Sequence, residues 1–343
     1  MRLHYWKAKH KNFGDELNSW IWEKYISFST AENVSTVFLG IGTIIDSDIP
    51  DASRTIIFGS GAGYRKPPTS IHNDAALDIS FTRGPLSARL LNLDPTKYIT
   101  DPAILVADQF PKVLNDNRHG TVFVPHYKST TSSRLREVCK RAGIEFVDPL
   151  SESRSIVDRI SRARKVIAES MHAAIVADAM RVPWVPVVTS PEISTFKWCD
   201  FTFSLDLPYC PVVLPPTCLP HSIRNLLLRH SSNKFSLAED RSNACFINDE
   251  RGQLEQLSSF KLIPARQLSS FRQLVYFSAR VFNRIASRLP AMLFNLNGRA
   301  YLAKSVAAMT ACADMPGFLS DERIHQAALS RIIRALDQLQ NTD

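Results

Sequence analysis

Short runs rich in β-branched and aromatic residues alternate with stretches of helical periodicity from the start of the chain. Parallel strands need a crossover between them, so this alternation restricts the chain to a mostly parallel α/β architecture. Strands are expected at 3–6, 36–40, 55–58 and 77–81, and the spacing of Leu17, Trp20, Ile21 and Tyr25 predicts a helix over 15–25. The polar stretch 111–120, with Asn115, Asp116, Asn117 and Gly120, reads as a boundary. Beyond it the series resumes, with strands at 121–125, 144–147, 165–168 and 184–188 and helices at 132–142, 153–161 and 172–180. Two doubly wound domains facing each other across a cleft are therefore expected, over 1–115 and 116–243. After about Asn243 the strand signal fades, and 244–343 reads as a helical segment punctuated by Pro264, Pro290 and Pro316.

A chain of 343 residues, 45% hydrophobic and 22% charged, has the size and balance of a globular protein with more than one core. The first twelve residues are basic but contain no apolar core segment, so no secretory signal is expected. The apolar stretch 173–188 is interrupted by Asp178 and Arg181, which argues against a membrane span. The six cysteines show no C-x-x-C spacing, so neither a zinc site nor a disulfide framework is expected and a reducing cytoplasm fits best. The net charge of +8 is concentrated late: residues 251–343 hold twelve Lys or Arg against six Asp or Glu, or +6 of the total. A nucleic-acid groove spread over the main fold is disfavoured by that distribution.

Candidate chemistry gathers at predicted strand ends. In Asn12-Phe13-Gly14-Asp15-Glu16-Leu17-Asn18, Gly14 permits a tight turn and Asp15 opens a helix whose free amides face the ligand-binding edge of an open sheet. An ordinary capped turn would look the same. Gly40-Ile41-Gly42 and Gly59-Ser60-Gly61 follow apolar strands and would let backbone amides approach an anion or a sugar, or would simply make turns. Neither matches a dinucleotide fingerprint or a phosphate loop with its lysine, so a nicotinamide or ATP enzyme is disfavoured. Arg83 precedes Gly84-Pro85, a helix start where a guanidinium could grip a carboxylate or phosphate or pair with a neighbouring acid. His172 follows an apolar strand at the start of an Ala-rich helix, where neighbouring amides disfavour the imidazolium and leave a base or donor. His126 occupies a similar strand end. In 271–289, Leu274, Phe277, Val281, Ile285 and Leu289 share a helical face beside Arg280, Arg284 and Arg288. That pattern suits a helix on an anionic membrane surface and equally one packed on the fold.

The order of these segments resembles the polysaccharide pyruvyl transferase family, in particular its exopolysaccharide ketal-forming branch. The resemblance rests on Asn12 to Asn18, Gly40-Ile41-Gly42-Thr43, Gly59-Ser60-Gly61, Thr82-Arg83-Gly84-Pro85, Asp101-Pro102-Ala103, Val124-Pro125-His126 and Ala168-Glu169-Ser170-Met171-His172-Ala173-Ala174. It spans about residues 1–205. Many members carry Arg-Leu-His where this chain has Ser170-Met171-His172, so an arginine common in the family is replaced here.

The resemblance implies two Rossmann-like domains in a glycosyltransferase-B-like arrangement with a helical C-terminal tail. It implies transfer of pyruvyl from phosphoenolpyruvate to sugar hydroxyls of a lipid-linked exopolysaccharide precursor, with formation of a pyruvate ketal and release of phosphate. His172 and Asp15 are the implied catalytic pair. Asn12, Asn18, Gly59, Ser60, Gly61, Arg83, His126, Glu169 and Ser170 are the implied substrate-binding residues. No cofactor, metal or nucleic acid is called for, and a cytoplasmic enzyme, peripheral on the inner face of the membrane if the basic segment docks there, is expected. A nucleotide-sugar glycosyltransferase of the same architecture and a non-catalytic membrane-associated export scaffold are the alternatives.

Overall fold

Four short strands open the computed structural model, which describes residues 1–7, 12–31, 34–45, 49–50, 52–63, 76–131, 133–231, 245–259, 277–278, 281 and 298–340. Strands β1 (Arg2–His4), β2 (Thr36–Leu39), β3 (Arg54–Phe58) and β4 (Leu77–Phe81) pair in parallel in the order β1-β2-β3-β4. Phe38, Ile56 and Phe58 enter the large core on one face, whereas Val37, Leu39 and Ile57 enter a smaller cluster on the other. A strand covered on both sides has no polar face, which is why Val37 to Leu39 of β2 and Ile56 to Phe58 of β3 read as unbroken apolar runs.

The second sheet is also parallel and runs β6-β5-β7-β8-β9. Its strands are β5 (His119–Val124), β6 (Glu145–Phe146), β7 (Ala163–Ala168), β8 (Trp184–Val188) and β9 (Val212–Val213). Chain order reverses at β5, which has β6 on one side and β7 on the other. Such a switch point leaves a crevice at the carboxyl ends of the strands, the usual place for ligands in open α/β sheets. His126 follows β5 there, and Glu169 to His172 follow β7.

Helices α1 (Phe13–Glu16), α2 (Pro85–Leu90) and α3 (Val106–Gln109) accompany the first sheet. Helices α4 (Leu135–Ala142), α5 (Ser153–Arg162), α6 (Met171–Ala179) and α7 (Thr195–Ser204) form the crossovers of the second. The side-chain oxygens of Glu152 cap α5 at the amides of Arg154 and Ser155, and Gly143, at φ 68°, closes α4 in the left-handed conformation that glycine tolerates best. All nine residues of α6 are buried, as an apolar helix without a polar face requires.

The single helix expected over 15–25 does not form. Four residues of α1 pass into a 3-10 turn, Leu17–Ser19, and then into turns as far as Tyr25. Asn18 is the reason. Its side chain is buried, donates to the carbonyl of Ile41 at 2.8 Å, and accepts from the Ile41 amide at 3.0 Å and the Trp22 indole at 3.1 Å. Those bonds tie it to the loop after β2 and break the helical course.

Helices α8 (Leu219–Ser231), α9 (Glu250–Ser259), α10 (Gly298–Asp314) and α11 (Glu322–Gln340) follow. Leu302, Met309 and Cys312 of α10 pack with Val138 and Cys139 of α4, while Ala328, Ile332, Leu336 and Leu339 of α11 join the large core. Phe318 exchanges two backbone hydrogen bonds with Trp184 of β8, and Arg331 of α11 reaches the carbonyl of Tyr98 at 2.9 Å. The C-terminal helix therefore spans elements of both sheets. The amphipathic stretch 271–289, with Arg280, Arg284 and Arg288, lies outside the described residues except for Phe277, Ser278 and Val281. No helix among the described residues is long and apolar enough to cross a membrane.

One expectation about the cysteines is overturned. Cys210 and Cys245 form a disulfide, next to the antiparallel bridge between Tyr209 and Phe246. The cysteines are 35 positions apart, so their pairing depends on tertiary structure and not on local spacing. A disulfide also removes the cysteine argument for a reducing compartment. The other four cysteines are buried thiols.

Candidate active site

His172 stands in the first turn of α6, just past the extended N-cap residue Ser170. The ring lies directly against Gly14 of α1: a Cβ on that glycine would fall 1.8 Å from Nδ1, so any side chain there would displace the imidazole. Only 10% of the His172 side chain is exposed, and its Nε2 is 3.8 Å from Oδ2 of Asp101. Asp101 caps the 3-10 turn Pro102–Leu105, with Oδ1 accepting from the Ala103 amide at 3.0 Å. Among the described residues neither Asp101 Oδ2 nor His172 Nε2 has a hydrogen-bond partner, although both atoms are buried. Burial, then the charges of Lys197 and Arg83, push the His172 pKa down to about 3, so the ring is neutral near physiological pH. Burial raises Asp101 to about 6 against the opposing pull of Arg83, the Ala103 amide and Lys197.

Asp15 follows Gly14, against which the His172 ring packs. It is partly buried, and Oδ2 accepts from the Asn12 side-chain amide at 2.5 Å. Burial raises its pKa to about 6, with the Asn12 hydrogen bond and Lys197 opposing the rise. The loop after β2 passes close by, since a Cβ on Gly42 would lie 3.8 Å from Asp15 Oδ1. The loop after β3 is stitched to it: Ser60 Oγ donates to the Gly40 carbonyl at 2.5 Å, and the Gly61 amide donates to the Gly42 carbonyl at 2.9 Å. Gly59 has φ 81° and Pro102 packed where a Cβ would go. Ser60 is fully buried, so within these loops it secures the backbone.

Arg83 precedes α2, where Gly84 is the N-cap and Pro85 the first helical residue. Its side chain has no exposed surface. Nε donates to Asp200 Oδ2 at 3.0 Å, a terminal nitrogen lies 2.9 Å from the same oxygen, and the other terminal nitrogen donates to Thr43 Oγ1 at 2.9 Å. Asp200 of α7 also accepts from the Ser87 amide at 2.8 Å and the Ser87 hydroxyl at 2.6 Å. The guanidinium therefore joins the loop after β4 to the second sheet's helix α7. It contributes charge to the site, and much of its hydrogen-bonding capacity is used by Asp200 and Thr43.

The remaining sequence-derived residues divide by position. Glu169 is fully buried; Oε1 accepts from the amide and hydroxyl of Thr189 at 2.8 and 2.6 Å, and Oε2 from the His126 amide at 3.0 Å. It ties together the ends of β5, β7 and β8, and burial raises its pKa against those hydrogen bonds. Asn18 is likewise internal, holding the loop after β2. Asn12 orients Asp15, Ser170 is half-buried at the start of α6, and the half-buried His126 ring lies 4.7 Å from that of Tyr127. Two functional candidates carry little sequence signal. Lys197 of α7 is partly exposed, and its charge acts on His172, Asp15 and Asp101 together, although it is distant from all three in the chain. Asp101 could be seen as an N-cap preceding a proline, but nothing local shows that its second oxygen faces His172.

Comparison with known proteins identifies the family of the chain. Residues 5–191, more than half of the chain, match the profile of the polysaccharide pyruvyl transferase family. The succinoglycan biosynthesis protein ExoV of Rhizobium meliloti (strain 1021) is 36% identical over 217 residues, which cover 63% of this chain and 68% of that protein. No solved structure matches. The matched span contains Asp15, Arg83, Asp101 and His172, and the chain belongs to the polysaccharide pyruvyl transferases, enzymes that transfer pyruvyl groups.

Proposed function

We propose that the enzyme takes its pyruvyl group from phosphoenolpyruvate and places it as a cyclic ketal on two hydroxyls of a sugar in an exopolysaccharide precursor, releasing phosphate. The observation that carries this reading is the meeting of a neutral buried imidazole, His172, with carboxyls of raised pKa, Asp15 and Asp101, under the positive charges of Arg83 and Lys197. The related protein's part in succinoglycan biosynthesis supports an exopolysaccharide acceptor. Two separate parallel sheets, whose carboxyl-end loops supply Asp15 and Asp101 on one side and His172 on the other, support a glycosyltransferase-B-like arrangement.

The chemistry balances with these groups. The first sugar hydroxyl bonds to C2 of phosphoenolpyruvate as its proton passes to His172, and protonated Asp15 delivers a proton to C3. The resulting tetrahedral carbon carries the sugar oxygen and the phosphate. Phosphate departs with the electrons of its C–O bond and takes the proton held by His172. The second hydroxyl then closes the ring at C2 and returns its proton to Asp15, so both residues regain their starting states. Lys197 and Arg83 offset the negative charge of donor and departing phosphate, as preorganised cations do where charge develops. A lipid-linked acceptor at the cytoplasmic membrane face is the reading supported by the +6 excess over residues 251–343, because anionic lipids attract such basic segments.

Purified protein mixed with phosphoenolpyruvate and lipid-linked oligosaccharide should release inorganic phosphate and add the mass of a pyruvate ketal to the glycan. Consumption of a nucleotide sugar with no phosphate release from phosphoenolpyruvate would overturn the donor assignment.

A further inference from the structure

Two buried polar atoms that lack partners among the described residues face each other: Asp101 Oδ2 and His172 Nε2, 3.8 Å apart. Buried polar atoms are almost always hydrogen-bonded, so two neighbouring exceptions at a helix start call for a common explanation. We propose that Asp101 is a positioning residue for pyruvyl transfer, holding His172 in the tautomer with its proton on Nε2 and leaving Nδ1 as the nitrogen that takes the sugar proton. This role rests on the function proposed above.

The geometry supports the assignment from both sides. Asp101 cannot swing freely, because Oδ1 is anchored by the Ala103 amide and the side chain is fully buried. That anchor leaves Oδ2 directed at the ring. The imidazole is placed by the absence of a side chain at Gly14 and by the start of α6, and its Nε2 stands 3.8 Å from Oδ2, less than about 1 Å beyond hydrogen-bond range. A carboxylate that accepts from one ring nitrogen fixes which nitrogen carries the proton, and the other then serves as the base. The charged groups acting on the pair are Arg83 before α2 and Lys197 and Asp200 on α7. Burial together with Lys197 and Arg83 keeps the ring neutral, and Asp101, at about 6, is ionised at neutral pH, so the pair holds one proton there. Glu169 lies only three residues from His172, but its two oxygens are engaged by Thr189 and His126, which leaves Asp101 to orient the ring.

Asp101→Asn separates this role from a merely structural one. Asparagine is as good an N-cap as aspartate, so the bond to the Ala103 amide is retained, while the atom facing Nε2 becomes an amide donor. The ring is then driven into the opposite tautomer. The expected result is a thermal midpoint within about 3 °C of the parent and a KM for phosphoenolpyruvate changed by no more than about twofold. The turnover number should fall about 10³- to 10⁴-fold, the scale of trapping a catalytic imidazole in the wrong tautomer. The parent's rate should rise with pH up to about 6 as Asp101 ionises, below the opposite limb set by Asp15, and the rising limb should be absent in the variant. Nitrogen-15 spectra of histidine-labelled parent protein, assigned with His172→Gln, should show the Nε2–H tautomer without any substrate. A parent ring protonated on Nδ1, or an Asp101→Asn enzyme with near-parent turnover, overturns the proposal. Failure of the parent to release phosphate from phosphoenolpyruvate would overturn the donor assignment instead, while the spectrum of the parent still decides the tautomer and needs no variant to fold.

Discussion

Glu169 and Asp101 are both fully buried carboxyls at loops that follow parallel strands, and they differ in what surrounds their oxygens. Glu169 has three donors on two oxygens, supplied by Thr189 and His126, and it locks the carboxyl ends of β5, β7 and β8 into one edge. Asp101 has one donor on one oxygen and an imidazole nitrogen 3.8 Å from the other. A carboxylate whose capacity is satisfied stabilises its surroundings, whereas one left half-satisfied keeps a capacity that a reaction can use. Arg83 sits between these cases, since Asp200 and Thr43 hold it while its charge still acts on His172.

That contrast can be broken most decisively at His172. Substitution by Gln should lower turnover by about 10² to 10⁴, the usual worth of a general acid or base, and leave the unfolding midpoint in place. Near-normal turnover would remove the residue from the chemistry. Glu169→Ala should do the opposite: it leaves the Thr189 and His126 donors buried without an acceptor and should cost about 3–5 kcal/mol of stability by urea unfolding. The protein that remains folded should keep most of its specific activity, and a stable but inactive Glu169→Ala protein would erase the distinction between the two carboxyls. Arg83→Lys tests the intermediate case. An ammonium cannot span Asp200 and Thr43 together, so the apparent constant for phosphoenolpyruvate should rise and stability should fall by about 1–3 kcal/mol. Movement of neither would make the residue dispensable to both.

The smallest effect concerns pH. As a proton donor Asp15 must be protonated, so turnover should decline above about 6, approaching tenfold per pH unit well above that value, and Asp15→Asn should lack this decline. Linkage gives an independent sign. Burial raises the folded-state pKa from 3.8 to about 6, so the stability contributed by the protonated carboxyl is present below about 4 and lost as pH rises through about 6. Asp15→Asn should therefore gain in thermal midpoint over the parent at pH 8 and not at pH 4. A midpoint difference independent of pH would contradict the buried carboxyl.

Strands β4 and β8 were legible to the residue, because an apolar run bounded by turn residues has few other fates in an alternating chain. The helix over 15–25 was misread because Asn18, polar and apparently suited to an exposed face, turns inward to the loop after β2. At the site, Gly14, Asp15, Arg83 and His172 could be marked by local turn and cap chemistry. Their partners could not. Asp200 is 117 residues from Arg83, Thr189 is 20 from Glu169, and Cys245 is 35 from Cys210, and each pairing is created only by the crossovers. Glu169 shows the limit of position alone: a polar residue at a strand end is a ligand candidate by sequence, and in the fold its oxygens accept from Thr189 and His126.

The last helix has a practical consequence for anyone dissecting the enzyme. The family match ends at residue 191, but α11 places Ile332 and Leu336 in the same core as Phe38 and Phe58 of the first sheet. Ser320, just before that helix, satisfies the buried Asp178 of α6 through its amide at 2.9 Å and its hydroxyl at 2.5 Å, while Phe318 pairs with the edge of Trp184. A fragment trimmed to the matched stretch would retain Asp15, Arg83, Asp101 and His172 but lose Lys197 of α7. It would also expose an apolar seam and leave Asp178 of α6 with only the Trp184 indole at 3.1 Å and Arg181 at 3.4 Å of its described partners, so it should be recovered from expression as aggregate, whereas a fragment supplied separately with residues 298–340 regains a surface onto which that strap can dock.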